Sequence, residues 1–435
     1  MTASNPMSRV EPRPIVFTNA RLVDPVAGEE VRGDLLVENG RITGRGRGEG
    51  VPDSAVVVEC AGHALAPGIV DFNVTIGEPG ARHRESFKSA GMAAAAGGVT
   101  TIVAQPDTDP PIDDPAVLEF ATRRAREVCA VRVLHKATLT KGAAGQEMTE
   151  YRFLLDAGAV AFSDGERAVD DPVVFRRCLD YARSVGALVC HFPQEPHFSA
   201  LGCATEGLFA SLRGLPSVPA EAEAIMLTRD IRIAALTGAR YHASCISTAE
   251  SLSIMRRARE SGVDVTCSVA VPHMALNELD IADFRTFSKV SPPLRHEDDR
   301  SAMEEGLREG LIDVIVSAHR PWDEESKRLP YAQAASGGVG LETILPVSLD
   351  LHHRAGLSLP LLFARLALAP ARLAGLEAGT LEVGALADLV LFDPDAPSRI
   401  DRKALLSKSK NSPFHDRLTQ GRVLGTWVGG RRVFG

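Results

Sequence analysis

From about Pro67 to Leu376 the chain repeats one pattern: a short apolar run ending in polar residues, then a stretch with apolar positions at helical spacing. The runs include "GVTTIVAQPD", "VRVLHKATL", "AVAFSDG", "ALVCHFP", "ARYHASCIS", "VDVTCSVAVPH" and "IDVIVSAHR". Each reads as a strand, and "TAESLSIMRRARESG" reads as an amphipathic helix. Strand, loop and helix in repetition predict an α/β protein built on a (β/α)8 TIM-like barrel. In that architecture the residues just past each strand face the site, so the polar strand ends carry any chemistry.

The two ends of the chain have another rhythm. "PIVFTNARLVDPVAGEEVRGDLLVENGRITGRG" alternates short β-rich runs with Gly, Asn and Asp, and "ADLVLFDPD" and "GRVLGTWVGGRRVFG" repeat that style at the other end. Residues 14–66 and 377–435 are therefore expected to form one small composite β-sandwich domain, with residues 67–376 as the barrel. "GLPSVPAEAEAIMLTRDIRIAALTG" reads as a closing loop with a helix, as a subunit contact, or as an ordinary barrel helix.

Composition narrows the partners. The 435 residues are 45% hydrophobic and 24% charged, with a net charge of -8, which argues against a nucleic-acid or anionic-membrane surface. Only "RKALLSKSK" is locally basic, and it reads as a solvated loop. No apolar run approaches the roughly 20 residues of a membrane helix, and "MTASNPMSRVEPRP" has no apolar core of a secretory signal, so a cytoplasmic protein is expected. Cys60, Cys129, Cys178, Cys190, Cys203, Cys245 and Cys267 are scattered without a CxxC pair, as suits reduced, mostly buried thiols.

Several ordered stretches carry a resemblance: "APGIVDFNVTIGEPGARHRESFKSAGMAAAAGGVTTIVAQPDTDPPIDDP", "GLPSVPAEAEAIMLTRDI", "GVDVTCSVAVPHMALNELDI", "SPPLR", "GGVGLET" and "SKSKNSPF". With them the chain resembles the dihydroorotase family of the amidohydrolase superfamily over nearly its whole length. That family consists of zinc hydrolases that interconvert carbamoyl-aspartate and dihydroorotate in pyrimidine synthesis. The metal activates water and polarises the ring amide, and a barrel-strand Asp handles the proton.

The family's pattern is altered here where the chemistry should be. A His-x-His after the first barrel strand puts two imidazoles on one face, because side chains alternate with period 2. Asn73 and Thr75 stand at those positions, and amide and hydroxyl oxygens are poor zinc ligands. Gly77 stands where the resemblance implies an Arg for the substrate carboxylate. Asp164 and His191 match ligand positions and read as a residual metal pair or as a hydrogen-bonded cluster at the barrel mouth. Cys245 stands where a ligand His is implied, with His242 three residues earlier. In "SAHRPW", Ala318 replaces the acid that would act as base and Trp322 replaces a His, while Asp107 stands where a neutral Asn is implied. Loss of a general base alone typically costs about 10²- to 10⁴-fold.

Two functions of different class follow. In the first, the protein is a dihydroorotase-like member of pyrimidine synthesis with a degenerate site, no metal cofactor, and a structural role beside aspartate transcarbamoylase, as the resemblance to non-catalytic members implies; a homodimer is also expected. In the second it is a dihydroorotase or other cyclic amidohydrolase, with zinc held in a site rebuilt from Asp164, His191 and Cys245. A third reading makes Asn73, Thr75, Asp107 and His319 the lining of a metabolite pocket. His319 is alternatively a packed strand-end imidazole, His273 a locally bonded one, and "GGVGLET" and "EPG" are expected to be backbone devices.

Overall fold

The computed structural model describes residues 13–46 and 52–435, so the part of the opening stretch read for a leader that falls in residues 1–12 lies outside the described residues. The N-terminal segment forms β1 (Ile15–Asp24), β2 (Glu29–Glu38), β3 (Arg41–Gly46), β4 (Val56–Glu59) and β5 (Ala64–Pro67). After a single residue, Gly68, the chain enters the central repeat at β6 (Ile69–Val74). There follow β7 (Val99–Ala104), β8 (Arg132–Ala137), β9 (Ala159–Phe162), β10 (Leu188–His191), the short pair β11 (Ala204–Thr205) and β12 (Ser217–Val218), then β13 (Arg240–Ala243), β14 (Val265–Ala270) and β15 (Val314–Val316). The C-terminal strands are β16 (Leu389–Arg399), β17 (Leu418–Val428) and β18 (Arg431–Phe434).

Strands β6 to β10 and β13 to β15 form one eight-stranded parallel sheet in sequence order. All six residues of β7 and all four of β10 are buried, as expected of strands covered on both faces. The two edges meet: the Thr75 N–H donates to His319 O at 2.8 Å, and the Ser317 N–H donates to the Asp71 carboxylate at 3.2 Å. The sheet is thereby a barrel, and its interior is filled by Val70, Phe72, Val103, Ala161, Cys190 and their neighbours.

The outer helices follow the periodic stretches, including Ala249–Glu260 and Glu221–Thr237. Glu223, fully buried on the second of these, accepts from the main-chain N–H groups of Ser247 and Thr248 and from the Ser251 hydroxyl at 2.6 Å. One carboxylate thus pins a helix to the loop after β13.

The termini share the second eight-stranded sheet, in which β16 runs antiparallel to β5, pairing Leu389 with Pro67 and Phe392 with Ala64. Its core is Phe17 edge-on to Trp427 at 4.9 Å, with Leu35, Ile42, Leu65 and Leu389 around them. Asp388 joins this layer to the barrel, bonded to Arg132 at 2.5 Å and to the Gly429 N–H at 2.7 Å. "GGVGLET" is a backbone device, as read: a Cβ on Gly340 would stand 2.6 Å from Ser317 O, and Gly337 has φ +130.

His135 on β8 is buried edge-on to Phe87, and neither ring nitrogen has a hydrogen-bond partner. Burial pushes its pKa down to about 4. As pH falls below about 6.5 the unfolded chain takes up a proton that the folded chain refuses, so stability is lost in that window. His135→Leu is expected to stabilise the protein by about 1 kcal/mol at pH 8 and by more at pH 5. Urea unfolding at the two pH values checks this; a variant weaker at both would assign the imidazole a stabilising contact.

Candidate functional site

The strand ends bring most of the sequence-identified residues to one end of the barrel, where each already has a protein partner. Asn73, on the last turn of the β6 pleat, donates through Nδ2 to Cys245 Sγ at 2.9 Å and accepts from Gln105 Nε2. Asp164 accepts from the Thr140 N–H at 3.0 Å and the Thr140 hydroxyl at 2.5 Å, although burial holds its pKa above the usual carboxylate range. His191 is held at both nitrogens. Its Nε2 accepts from the Val169 N–H at 2.8 Å, which puts the proton on Nδ1, 2.6 Å from Asp230.

Cys245 is buried with a left-handed backbone, φ 57, and burial pushes its thiol up to about 12 against the hydrogen bond from Asn73. His242 bonds Thr266 at 2.9 Å and Ser268 at 3.1 Å inside the barrel wall; burial, then the charge of Lys136, pushes it down to about 3.

Two interior residues were missed by sequence reasoning. Lys136 on β8 is fully buried, with Nζ 4.6 Å from the Phe72 ring centroid. Burial lowers its pKa, while Cys190, Cys245, Asp71 and Asp107 favour its charge. Asp71, whose Oδ2 has no partner, is pushed up to about 6 by burial against its bonds from Ser317 and Asn73. The signal for Lys136 was its place two residues after Leu134, on the face of the strand that turns to the barrel interior.

Over this interior lies an ionic plug. Arg320 reaches Asp107 at 2.8 Å and Glu166 at 3.5 Å, and these two carboxylates outweigh burial in holding its charge. Outside the plug is a cavity of about 360 Å³ lined by Thr75, Gly77, Arg84, Asp107, Arg320 and Trp322. Thr75 and Asp107 join this pocket, but Asn73 and His319 do not. Asn73 is turned into the interior by Cys245 and Gln105. His319 faces the buried Glu85 at 3.5 Å and accepts from the Gly340 N–H at 3.2 Å, a packed imidazole. Burial works against the Glu85 charge, yet His319 and Ser407 hold its pKa below the usual range.

Gly77 is more than a missing Arg: a Cβ there would run into Ala81 O. Ala318 carries no polar atom and takes φ 50. Trp322 lies under the Arg84 guanidinium at 4.0 Å and donates to Ser336 O at 2.7 Å. His273 bonds Pro292 O at 3.0 Å, a partner 19 residues away rather than a local one.

The zinc that the family resemblance implies needs donors free to bind it. The His191 lone pair is taken by the Val169 N–H, Cys245 Sγ accepts from Asn73, and the fully buried Lys136 side chain occupies the same interior. A divalent cation needs ionised, unoccupied donors, and these residues do not fit it. Among the described residues, Asp170, Glu195 and His197 bring ligand atoms within 4.8 Å of one another, away from the barrel interior and largely exposed. No described helix is long and apolar enough to cross a membrane.

A parallel eight-stranded barrel with its polar strand ends gathered under one mouth, and a β-layer from both termini, is the architecture of the amidohydrolases. A dihydro-orotase-like family profile matches residues 62–251 and an amidohydrolase family profile matches residues 351–434. The dihydroorotase of Anaplasma phagocytophilum is 39% identical over 426 residues, 97% of this chain and 95% of that relative. That of Pelobacter propionicus is 37% identical, over 97% of this chain and 99% of its own length. The L-hydantoinase of Arthrobacter aurescens superimposes with a TM-score of 0.87 at 25% identity, over 96% of this chain and 95% of its own. The chain belongs to the dihydroorotase family.

Because the folded pKa of Asp71 is raised, the folded state keeps a proton that the unfolded chain releases between about pH 4 and 6. Its contribution is present below pH 4 and lost as pH rises through 6. Asp71→Asn keeps an acceptor for the Ser317 N–H and cannot ionise, so it is expected to gain about 2 kcal/mol on the wild type between pH 4 and 7. Chemical denaturation across that range checks this; parallel curves for the two proteins would contradict it.

Proposed function

We propose that this member of the dihydroorotase family is a non-catalytic structural partner of aspartate transcarbamoylase in pyrimidine synthesis. The observation that carries the reading is His191: both ring nitrogens are committed, to Asp230 and to the Val169 main chain. Asn73, Asp164 and Cys245 are likewise held by protein groups, and the position matched to the general base is Ala318. With no acid there to move a proton and no free donor set for zinc, ring opening of dihydroorotate has neither base nor Lewis acid at this site. The protein's contribution is then its surface, and it pairs with itself as well as with its partner.

An apolar surface supports that reading. Between β10 and β13 the chain makes an excursion on which Leu201 is 89% exposed, Leu208 75% and Leu212 77%. Leu208 and Leu212 are one helical turn apart on Leu208–Arg213, so they share a face. Adjacent exposed leucines are a cost in water unless something covers them.

A second reading has two observations in its favour. Asp170, Glu195 and His197 form a carboxylate and imidazole group of metal-binding composition, and the relatives carry the name dihydroorotase. Elemental analysis of the purified protein, with dihydroorotate hydrolysis assayed with and without added zinc, separates the two. The scaffold role predicts no stoichiometric metal and no turnover; metal with turnover lost in His197→Ala would establish the hydrolase. On the scaffold role, Leu208→Asp with Leu212→Asp is expected to cut co-purification with aspartate transcarbamoylase at least tenfold while leaving the fold intact by circular dichroism. Undiminished co-purification would rule out that face.

A further inference from the structure

The basic stretch is a loop with Lys403 and Lys408 exposed, as read, but its serines pack at the barrel mouth. Ser407 and Ser409 are buried; the first hydroxyl bonds Glu85 and the second donates to Arg84 O at 2.9 Å. Between this segment and the residues following β15 lies a cavity of about 370 Å³, next to the pocket above Arg320 and sharing His83 and Trp322 with it. That volume falls in the range of small-molecule sites, about 300–1,000 Å³.

The C-terminal segment contributes four cations to the lining, Arg402, Lys403, Lys408 and Lys410; a fifth basic side chain, Lys327, is tied to the carbonyls of Thr286, Lys289 and Ala335, and burial pushes its pKa down to about 7. Among the described residues none of them is ion-paired with a carboxylate. Lys408 is held by Arg82 O at 2.8 Å, and Lys410 by Ser407 O at 2.7 Å and by Leu405 O. Neutral carbonyls fix the ammonium groups in place without cancelling their charge, and each ammonium keeps at least one N–H to donate. Arg402 lies against the Phe287 ring at 5.2 Å, which likewise leaves its charge uncompensated. The two acids on the rim are engaged elsewhere, Asp323 with Arg84 at 3.2 Å and Glu324 with Arg328 at 2.7 Å.

A concave surface on which cations outnumber acids carries a positive potential that draws in anions. We infer that this cavity is a binding site for a small phosphorylated molecule. The ligand class follows from the cations. Three of these four groups are Lys, compact point charges with three donors each, the form in which Lys binds a phosphate group. A protein of net charge -8 also has no general affinity for anions, so local capture here is a property of the segment.

The test uses the full-length protein and inorganic pyrophosphate, titrated by calorimetry at low and at physiological salt. Saturable binding at one site per chain is expected, weakening as salt rises. Arg402→Gln with Lys403→Gln, whose side chains hold no part of the loop by hydrogen bonds, is expected to weaken binding at least tenfold. Arg123→Gln with Arg126→Gln, an equal change of charge on the exposed face of the helix Pro115–Val128, is expected to leave it unchanged. Non-saturable binding, or equal losses in the two double variants, would overturn the site. Citrate bound as tightly as pyrophosphate would overturn the phosphate assignment, and tighter binding of a single-stranded oligonucleotide would overturn the small-molecule one.

Discussion

The closure between β6 and β15 is the constraint on which the rest of the molecule depends. β15 has only three residues, and the join to β6 is completed beyond its end by the Thr75 to His319 main-chain bond and by Asp71 holding the Ser317 N–H. An open seam would leave two rows of buried main-chain groups unpaired, which a dry interior does not tolerate. Closing it sets the stagger of every strand, and with that the set of side chains that share the interior. Asn73, Cys245, Lys136 and Asp71 are neighbours because the seam is closed in this register. The carboxyl that closes it sits at a fully buried position where ionisation is costly, so strand pairing and electrostatics are coupled at the same atom.

Much of the architecture was readable from hydrophobic pattern, because a strand buried on both faces and a helix with one apolar stripe each leave a local period. All seven quoted runs contain strands of the barrel sheet. The positions of Asn73, Thr75, Asp107, Asp164, His191 and Cys245 at the strand ends were also readable, since the end of an apolar run marks the mouth. What those side chains touch was not. Arg320 and Asp107 are 213 residues apart, and His191 and Asp230 are 39 apart; such pairings depend on barrel register and helix docking, which no local period encodes. Lys136 was hidden for another reason: a Lys inside an apolar strand looks like an edge or a boundary until the neighbouring strands are seen to enclose it. The basic C-terminal segment is a loop with Lys403 and Lys408 exposed, as composition suggested; that Ser407 and Ser409 are buried was not readable, because their partners Glu85 and Arg84 are 322 and 325 residues away.

The interior polar set is a different solution from a metal centre, with different physical demands. A metal organises its ligands by strong bonds to one ion, whereas here Asn73, His191 and Asp164 are satisfied pairwise: amide with thiol, imidazole with carboxylate, carboxylate with hydroxyl. Such networks are unforgiving of a single lost partner, because each remaining group is then stranded in a low-dielectric interior. They also specify one arrangement of the strand ends, which suits a protein proposed to act through its shape. The Arg320 plug adds to this by neutralising Asp107 and Glu166 at the mouth.

Cys245 and Ala318 both hold left-handed main-chain conformations, a region that Asp, Asn and His occupy several-fold more readily than most residues. The main chain therefore still has the form suited to the two residue types that the family resemblance places there, a His and an Asp. An imidazole or a carboxylate reintroduced at these two points would meet no conformational resistance from the backbone. Gly77 is the opposite case, since its turn has closed around the absence of a side chain. The resemblance is thus accommodated unevenly: the main chain at two strand ends suits the residue types it implies, and the loop between Thr75 and Ala81 does not.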